Sequence, residues 1–106
     1  MRIAHILYKG EKAGVLTQLD NGSFHFKYNE NWLSNESKPP ISLTLPKSQI
    51  EFESDTLFPF FYHLLPEGVN KRMICKMFKI DEDDAFGILL QASKVDTVGA
   101  VTIERV

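Results

Sequence analysis

An apolar and aromatic run over residues 58–68, FPFFYHLLPEG, constrains this chain more than any other stretch of its sequence. Pro59 fits the first turn of a helix, where its missing N–H costs nothing. Pro66 and Gly68 then end that helix and turn the chain into the next one. The predicted helix is short, about two turns, and apolar on nearly every side. Such a helix is buried either in the core or in a partner protein, and the function depends on which.

Length and composition predict one domain that spans residues 1–106. The net charge of -2, from 12 basic and 14 acidic residues, argues against a general nucleic-acid binder. Cys75 is the only cysteine, so it forms no internal disulfide and fits a reducing compartment. The sequence has no signal-peptide pattern, and no apolar run approaches the roughly 20 residues of a membrane helix. We therefore expect a cytoplasmic protein.

The first half of the chain predicts a three-stranded antiparallel meander. Residues Ile3–Tyr8 and Ala13–Leu19 have strand composition, and Asn21-Gly22 is a strong signal for a tight hairpin turn. Residues Phe24–Tyr28 alternate apolar and polar side chains, which predicts a third strand. The rest of this half predicts a loop over 29–40 that holds Trp32 and Leu33 against the body, a short edge strand over 41–45 closed by Pro46, and a polar connection over 47–56.

In the second half of the chain the spacing of apolar residues changes to that of a helix. Apolar residues recur at steps of four, four and three, which predicts an amphipathic helix that runs to about Lys79. The acidic run Asp81–Asp84 favours the start of another helix. A loop over 93–97 and a strand over 98–103 would follow. The predicted fold is α+β, a mostly antiparallel sheet with two or three helices on one face. The apolar stripe of the first of these helices consists of Val69, Met73, Met77 and Ile80, with Ile74 and Phe78 alongside. The predicted inner face of the second helix consists of Phe86, Leu89 and Leu90.

Searches for catalytic, cofactor and metal motifs in the sequence find none. Neither glycine-rich phosphate motif, GxxxxGK[ST] or GxGxxG, occurs. His5, His25 and His63 are scattered, without a Cys, Asp or Glu at metal-ligand spacing. The acidic run lacks the alternating spacing and glycine of a calcium loop. We expect neither a catalytic site nor a cofactor or metal.

Two further functions stay open from the residues alone. One is a small enzyme that uses Cys75 or His63, although a lone helical cysteine is more often a small buried hydrophobe. The other is a nucleic-acid contact through a basic helix face, although a solvated face next to an acidic run explains the same charges. The basic residues concerned are Lys71, Arg72, Lys76 and Lys79.

An ordered set of short motifs covers nearly the whole chain. It comprises Ser42-Leu43-Thr44-Leu45-Pro46, Phe60-Phe61, Leu64-Leu65-Pro66-Glu67-Gly68, Phe86-Gly87-Ile88-Leu89-Leu90, Asp96 and Gly99-Ala100-Val101. In this order the set resembles the N-terminal subdomain of HipA-type serine/threonine kinase toxins. In that family the segment precedes a kinase domain that carries the ATP site and the catalytic residues. We expect this chain to be a free-standing version of the subdomain; the alternative is a fragment of a longer HipA-like protein.

The resemblance implies a HipS-like antitoxin of a three-component HipBST system. Such a protein is not an enzyme, and it binds and restrains a short, HipT-like kinase. A helix-turn-helix HipB-like protein can belong to the same complex, so direct nucleic-acid binding is not expected of this chain. The alternative is a structural or activating subunit of a HipA-like kinase. The residues expected to contact the kinase are Phe61, Tyr62, Leu65, Pro66, Glu67, Val69, Asn70 and Arg72, although Glu67 also suits the cap of the next helix.

Overall fold

A computed structural model of the chain describes residues 1–95 and 100–106. Within these residues, one antiparallel sheet of five strands packs against helices, which confirms the α+β prediction. The strand order is β4-β3-β2-β1-β5, so the three strands of the meander form the centre. The elements in chain order are β1 (Arg2–Tyr8), β2 (Glu11–Gln18), β3 (Phe24–Tyr28), α1 (Glu30–Ser34), β4 (Glu51–Ser54), α2 (Pro59–Tyr62), α3 (Gly68–Phe78), α4 (Ala85–Val95) and β5 (Val101–Arg105).

The predicted meander is confirmed, and its turn residues explain why. The turn between β2 and β3 contains Gly22 at a φ of 88°, a conformation that glycine adopts without strain. The Asn21 side chain supports this turn, since its Oδ1 accepts a hydrogen bond of 3.0 Å from the Ser23 backbone N–H. The β2 strand begins at Glu11, two residues earlier than predicted, because Glu11 and Lys12 already pair with the end of β1.

Two predictions between residues 29 and 45 are wrong. The loop predicted over 29–40 contains the short helix α1, although Trp32 is buried as expected and its Nε1 donates to the Pro39 carbonyl at 2.9 Å. The edge strand predicted over 41–45 is instead a tight turn with one isolated bridge between Ser42 and Leu45. The buried Tyr28 hydroxyl fixes this turn, because it donates to the Leu45 carbonyl and accepts from the Ile41 N–H at 3.1 Å.

The edge strand lies in the segment that was predicted as a polar connection. In β4, the aromatic ring of Phe52 lies opposite Phe26 of β3, while Glu51 and Glu53 point away from the core. One apolar residue in four therefore suffices to attach this strand to the sheet. Charged side chains are typical of exposed edge strands, where they discourage pairing with other chains.

The helices of the second half agree with the prediction in number but not in their bounds. The aromatic helix α2 has 4 residues, about one turn, and Pro59 is at its start. The helix α3 ends at Phe78, within one residue of the predicted end, and its C-cap residue Lys79 takes the left-handed conformation. Residues 93–95 continue α4 where a loop was predicted. The strand β5 begins at Val101 rather than at residue 98, and the predictions for residues 96–99 lie outside the described residues.

The core lies between one face of the sheet and the helices α2 and α4. The predicted inner face of α4 is confirmed, since Phe86, Leu89 and Leu90 are all buried. Asp84 precedes α4, and its Oδ1 accepts a hydrogen bond of 3.1 Å from the Gly87 backbone N–H, as a helix cap does. The largest side chains that are almost fully buried are Tyr28, Phe26, Phe61, Phe86, Ile6, Leu16, Ile88 and Leu89.

Candidate functional site

Phe61 and Tyr62 are neighbours in α2 with opposite environments. Phe61 is fully buried, and its ring packs 5.7 Å from the ring of Phe26 and 5.2 Å from that of Phe60. A partner reaches this side chain only if the core opens, so Phe61 belongs to the core and supports the site from beneath. The side chain of Tyr62, in contrast, is 58% exposed.

The chain between α2 and α3 forms a compact turn. The N–H groups of His63, Leu64 and Leu65 donate to the carbonyls of Pro59, Phe61 and Tyr62 at 3.0–3.1 Å. The side chains of Leu64 and Leu65 are half-buried against the core. The turn is therefore packed against the core, and it is flanked in sequence by two exposed side chains, Tyr62 at the end of α2 and Val69, 63% exposed, at the start of α3.

The remaining predicted contact residues lie at the start of α3. Asn70 and Arg72 are exposed, and Pro66 is half-buried. Glu67 occupies the N-cap position of α3, but its carboxylate makes no capping hydrogen bond within the described part of the chain. Seven of the predicted residues are thus exposed or half-buried along one continuous segment, from the end of α2 into the first turns of α3, which we call the turn surface: Tyr62, Leu65, Pro66, Glu67, Val69, Asn70 and Arg72.

Two grooves border the turn surface, and Tyr62 lines both. The first has a volume of about 350 Å³ and separates the Leu65-Pro66-Glu67 turn from the start of α4, with Ile88 among its lining residues. The second has a volume of about 550 Å³ and is lined by Phe24, Leu57, His63 and Asp83, among others. Both grooves mix apolar and charged groups, which suits a protein contact as well as a small ligand.

The two candidate catalytic residues are not brought together. Cys75 is buried on α3 and is not among the residues that line either groove. His63 is exposed and lines the larger groove only. In the described residues, no group of three or more His, Cys, Asp or Glu side chains could hold a metal ion. None of the described helices is long and apolar enough to cross a membrane.

Two exposed methionines were missed as contact candidates. Met73 and Met77 are 55% and 62% exposed, and they continue the line that Val69 begins along α3. The apolar stripe that marks α3 as amphipathic therefore lies largely on the outside, while Ile74 and Cys75 face inward. The sequence shows the stripe itself, because Val69, Met73 and Met77 follow one another at steps of four, but not that it faces outward, since such a stripe usually packs against the core.

A five-stranded antiparallel sheet with a short aromatic helix and two longer helices defines a small α+β domain without an evident catalytic centre in its described part. Residues 4–104 match the family model of the HipA N-terminal domain. The chain therefore belongs to the HipA N-terminal domain family, as its motifs suggested.

Similar proteins include both small and large chains. The chain is 38% identical over 105 residues to an uncharacterized protein of Haemophilus influenzae, and the match covers 99% of this chain and 93% of that one. It is 30% identical over 89 residues to a Sinorhizobium fredii protein named "Putative kinase Y4mE", covering 84% of this chain but only 21% of that protein. Among solved structures, the N-terminal domain of HipA toxin matches with a TM-score of 0.74 and 33% identity, over 100% of this chain and 93% of that one.

Proposed function

We propose that this protein is a non-catalytic antitoxin or regulatory subunit that binds a HipA-like serine/threonine kinase and restrains it. The observation that carries the proposal is the turn surface, where Tyr62 and Val69 are exposed on a turn that the core holds in place. Exposed apolar side chains that cluster in this way commonly mark a protein partner. Because the turn is already ordered, little conformational entropy is lost on binding.

The family of the chain supports a HipA-like kinase as the proposed partner. The matched residues correspond to the HipA N-terminal domain, which lacks the kinase catalytic region. In the kinase-named relative Y4mE the matched region makes up 21% of the protein, whereas it makes up 93% of the H. influenzae protein. The family thus includes proteins that are little more than this domain, and a separate subunit that docks where a covalently attached domain would lie is a natural arrangement. By the resemblance to HipBST systems, a helix-turn-helix HipB-like protein can join the complex.

A structural or activating subunit is the second candidate. The relative Y4mE favours it, because a domain that matches 21% of the length of a kinase-named protein can support the rest of that protein without inhibiting it. Both candidates place the chain with its kinase in the cytoplasm, and the single buried cysteine is consistent with a reducing compartment.

The proposed contact is tested with Val69→Asp in a co-purification with a HipA-like kinase from the same genome. An acidic side chain in the first turn of α3 is compatible with the helix dipole, so the domain stays folded. We expect at least a tenfold loss of affinity, about 1.4 kcal/mol, because a desolvated carboxylate replaces an apolar contact.

The matched control is Leu43→Asp, which introduces the same charge at a side chain that is 94% exposed on the turn over 42–45. This variant keeps its affinity if the turn surface is the contact. Equal affinities of the native protein and the Val69→Asp variant would remove the turn surface from the proposal, and a kinase that binds neither would refute the proposed function.

A further inference from the structure

The outward side of α3 is an apolar stripe that no described element covers. Val69, Met73 and Met77 are spaced by four residues and are 63%, 55% and 62% exposed. The stripe is about 12 Å long, since eight residues of helix rise by 1.5 Å each. The helix itself packs against α4 through its other side, where Ile74 and Cys75 are buried. The stripe therefore adds nothing to the core, and its exposure needs another explanation.

Basic side chains border this stripe on one side. Arg72 and Lys76 are exposed, and each lies within one turn of two members of the stripe. Between Gly68 and Lys79 the sequence contains no acidic residue, so α3 carries a local positive charge on a chain with a net charge of -2. We call the five residues Val69, Arg72, Met73, Lys76 and Met77 the α3 outer face.

We propose that the α3 outer face binds an amphipathic helix of the partner protein whose own apolar stripe is flanked by acidic residues. A straight row of side chains at steps of four is the kind of ridge that fits the groove of another helix. Methionine side chains are flexible and adapt to such a groove. This inference rests on the proposed function for the identity of the partner, and it extends the contact beyond the turn surface along α3.

Charge argues against a second copy of this chain as the occupant. In a symmetric dimer the same face is used twice, and because α3 contains no acidic residue, this face of one copy offers no charge partner for Arg72 and Lys76 of the other. An acidic partner helix, in contrast, would form ion pairs with both residues. A nucleic acid would satisfy the charges but would leave Val69, Met73 and Met77 without apolar contacts.

The test uses two synthetic peptides of about 18 residues, each long enough to be helical. Both carry the same leucine stripe, flanked by glutamates in one peptide and by lysines in the other, and circular dichroism checks that both are helical. The full-length protein, labelled on its methionine methyl groups, is titrated with each peptide and followed by NMR. We expect the acidic peptide to shift the Met73 and Met77 signals and to bind about tenfold more tightly than the basic one, with the difference shrinking at high salt.

Charge reversal supplies the matched variants. In Arg72→Glu/Lys76→Glu the preference should invert, so that the lysine-flanked peptide binds more tightly. The control Lys12→Glu/Arg105→Glu introduces the same change of charge at two exposed residues of the sheet and should keep the native preference.

Equal binding of the two peptides, or binding of neither, would overturn the inference. So would concentration-dependent self-association that shifts Met73 and Met77, or shifts of these signals by a DNA duplex but not by the acidic peptide. Since the peptides replace the kinase, a kinase that fails to bind refutes the proposed function while leaving the peptide result to decide the chemistry of the face.

Discussion

At the scale of single residues, Asp84 couples the start of α4 to the sheet. Its carboxylate accepts two hydrogen bonds from the Arg2 guanidinium, at 2.6 and 3.0 Å, and one from the Gly87 N–H. The Arg2 guanidinium also lies 5.0 Å above the ring of Phe86. The hydrogen bonds from Arg2 hold the pKa of Asp84 below its usual value, against the opposing effect of partial burial. The first residue of β1 is thus connected to the cap of α4.

This coupling predicts an acid-dependent stability. Because the pKa of Asp84 is lower in the folded chain, its contribution is present above the unfolded pKa of about 3.9 and is lost as the pH falls through the folded pKa. Asp84→Asn keeps a capping side chain but removes the charge. We expect it to lower the free energy of unfolding by about 0.5–1 kcal/mol at pH 7, since the ion pair is half-exposed.

Urea unfolding at pH 7 and at pH 3 measures this difference, which should shrink at the lower pH. The control is Asp83→Asn, which removes a charge from the exposed neighbour and should change little at either pH. A difference for Asp84→Asn that stays constant with pH would contradict the role of the charge.

Gly87 allows Asp84 to reach its place. A Cβ atom at residue 87 would lie 2.4 Å from Oδ2 and 2.9 Å from Cγ of Asp84. Alanine normally stabilises a helix by about 0.5–1 kcal/mol relative to glycine, but here it would displace the carboxylate. We expect Gly87→Ala to destabilise the domain by about 1 kcal/mol in thermal or urea unfolding.

A double-mutant cycle separates the two effects of this substitution. In an Asp84→Ala background the clash is removed, so Gly87→Ala should become neutral or stabilising. Destabilisation by the same amount in both backgrounds would show that Asp84 is not the neighbour that matters.

At the scale of elements, α3 has one side that stabilises the fold and one that does not. Ile74→Ala should lower the free energy of unfolding by about 2–3 kcal/mol, because the side chain is buried against the domain. Met73→Ala and Met77→Ala should each change it by less than about 0.5 kcal/mol, since these side chains are exposed and alanine favours a helix. Urea unfolding of the three variants makes the comparison, and a large loss for Met73→Ala would place that side chain in the core.

Local turn chemistry explains which elements could be predicted from the sequence. The Asn21-Gly22 turn and the alternation over Phe24–Tyr28 specify their strands by themselves, so the meander was predictable. The pattern over 41–45 also alternates, yet the Tyr28 hydroxyl, distant in sequence, binds both ends of this segment and makes it a turn. The strand β4 depends on its pairing with β3 rather than on its own composition.

The candidate site likewise combines features that the local sequence determines with features that depend on packing between elements distant in sequence. The sequence located the turn after the aromatic helix because Pro66 cannot continue a helix, although α2 already ends at Tyr62 and Gly68 is the first residue of α3 rather than a residue that ends a helix. The sequence did not show that Phe61 is buried while Tyr62 is exposed. A one-turn helix buries only the side that faces the sheet, and the sequence does not determine which side that is. The outward position of Met73 and Met77 depends likewise on how α3 packs against α4.

At the scale of the whole molecule, the domain combines a stable sheet with exposed apolar groups on the turn surface and the α3 outer face. These two surfaces share Val69 and Arg72, so a partner that follows α3 from the turn can contact both. The chain belongs to the HipA N-terminal domain family, and the partner that we propose for these surfaces is a HipA-like kinase. The central proposal is that contact through these surfaces restrains the kinase.

The most direct test co-expresses the chain with a HipA-like kinase from the same genome and measures kinase autophosphorylation in the purified complex, with the kinase alone as reference. We predict a stable complex in which phosphorylation is suppressed, and recovery of phosphorylation with Val69→Asp but not with Leu43→Asp. A stable complex with unchanged or higher phosphorylation would contradict restraint and favour a structural or activating subunit. Absence of a complex would contradict both functions.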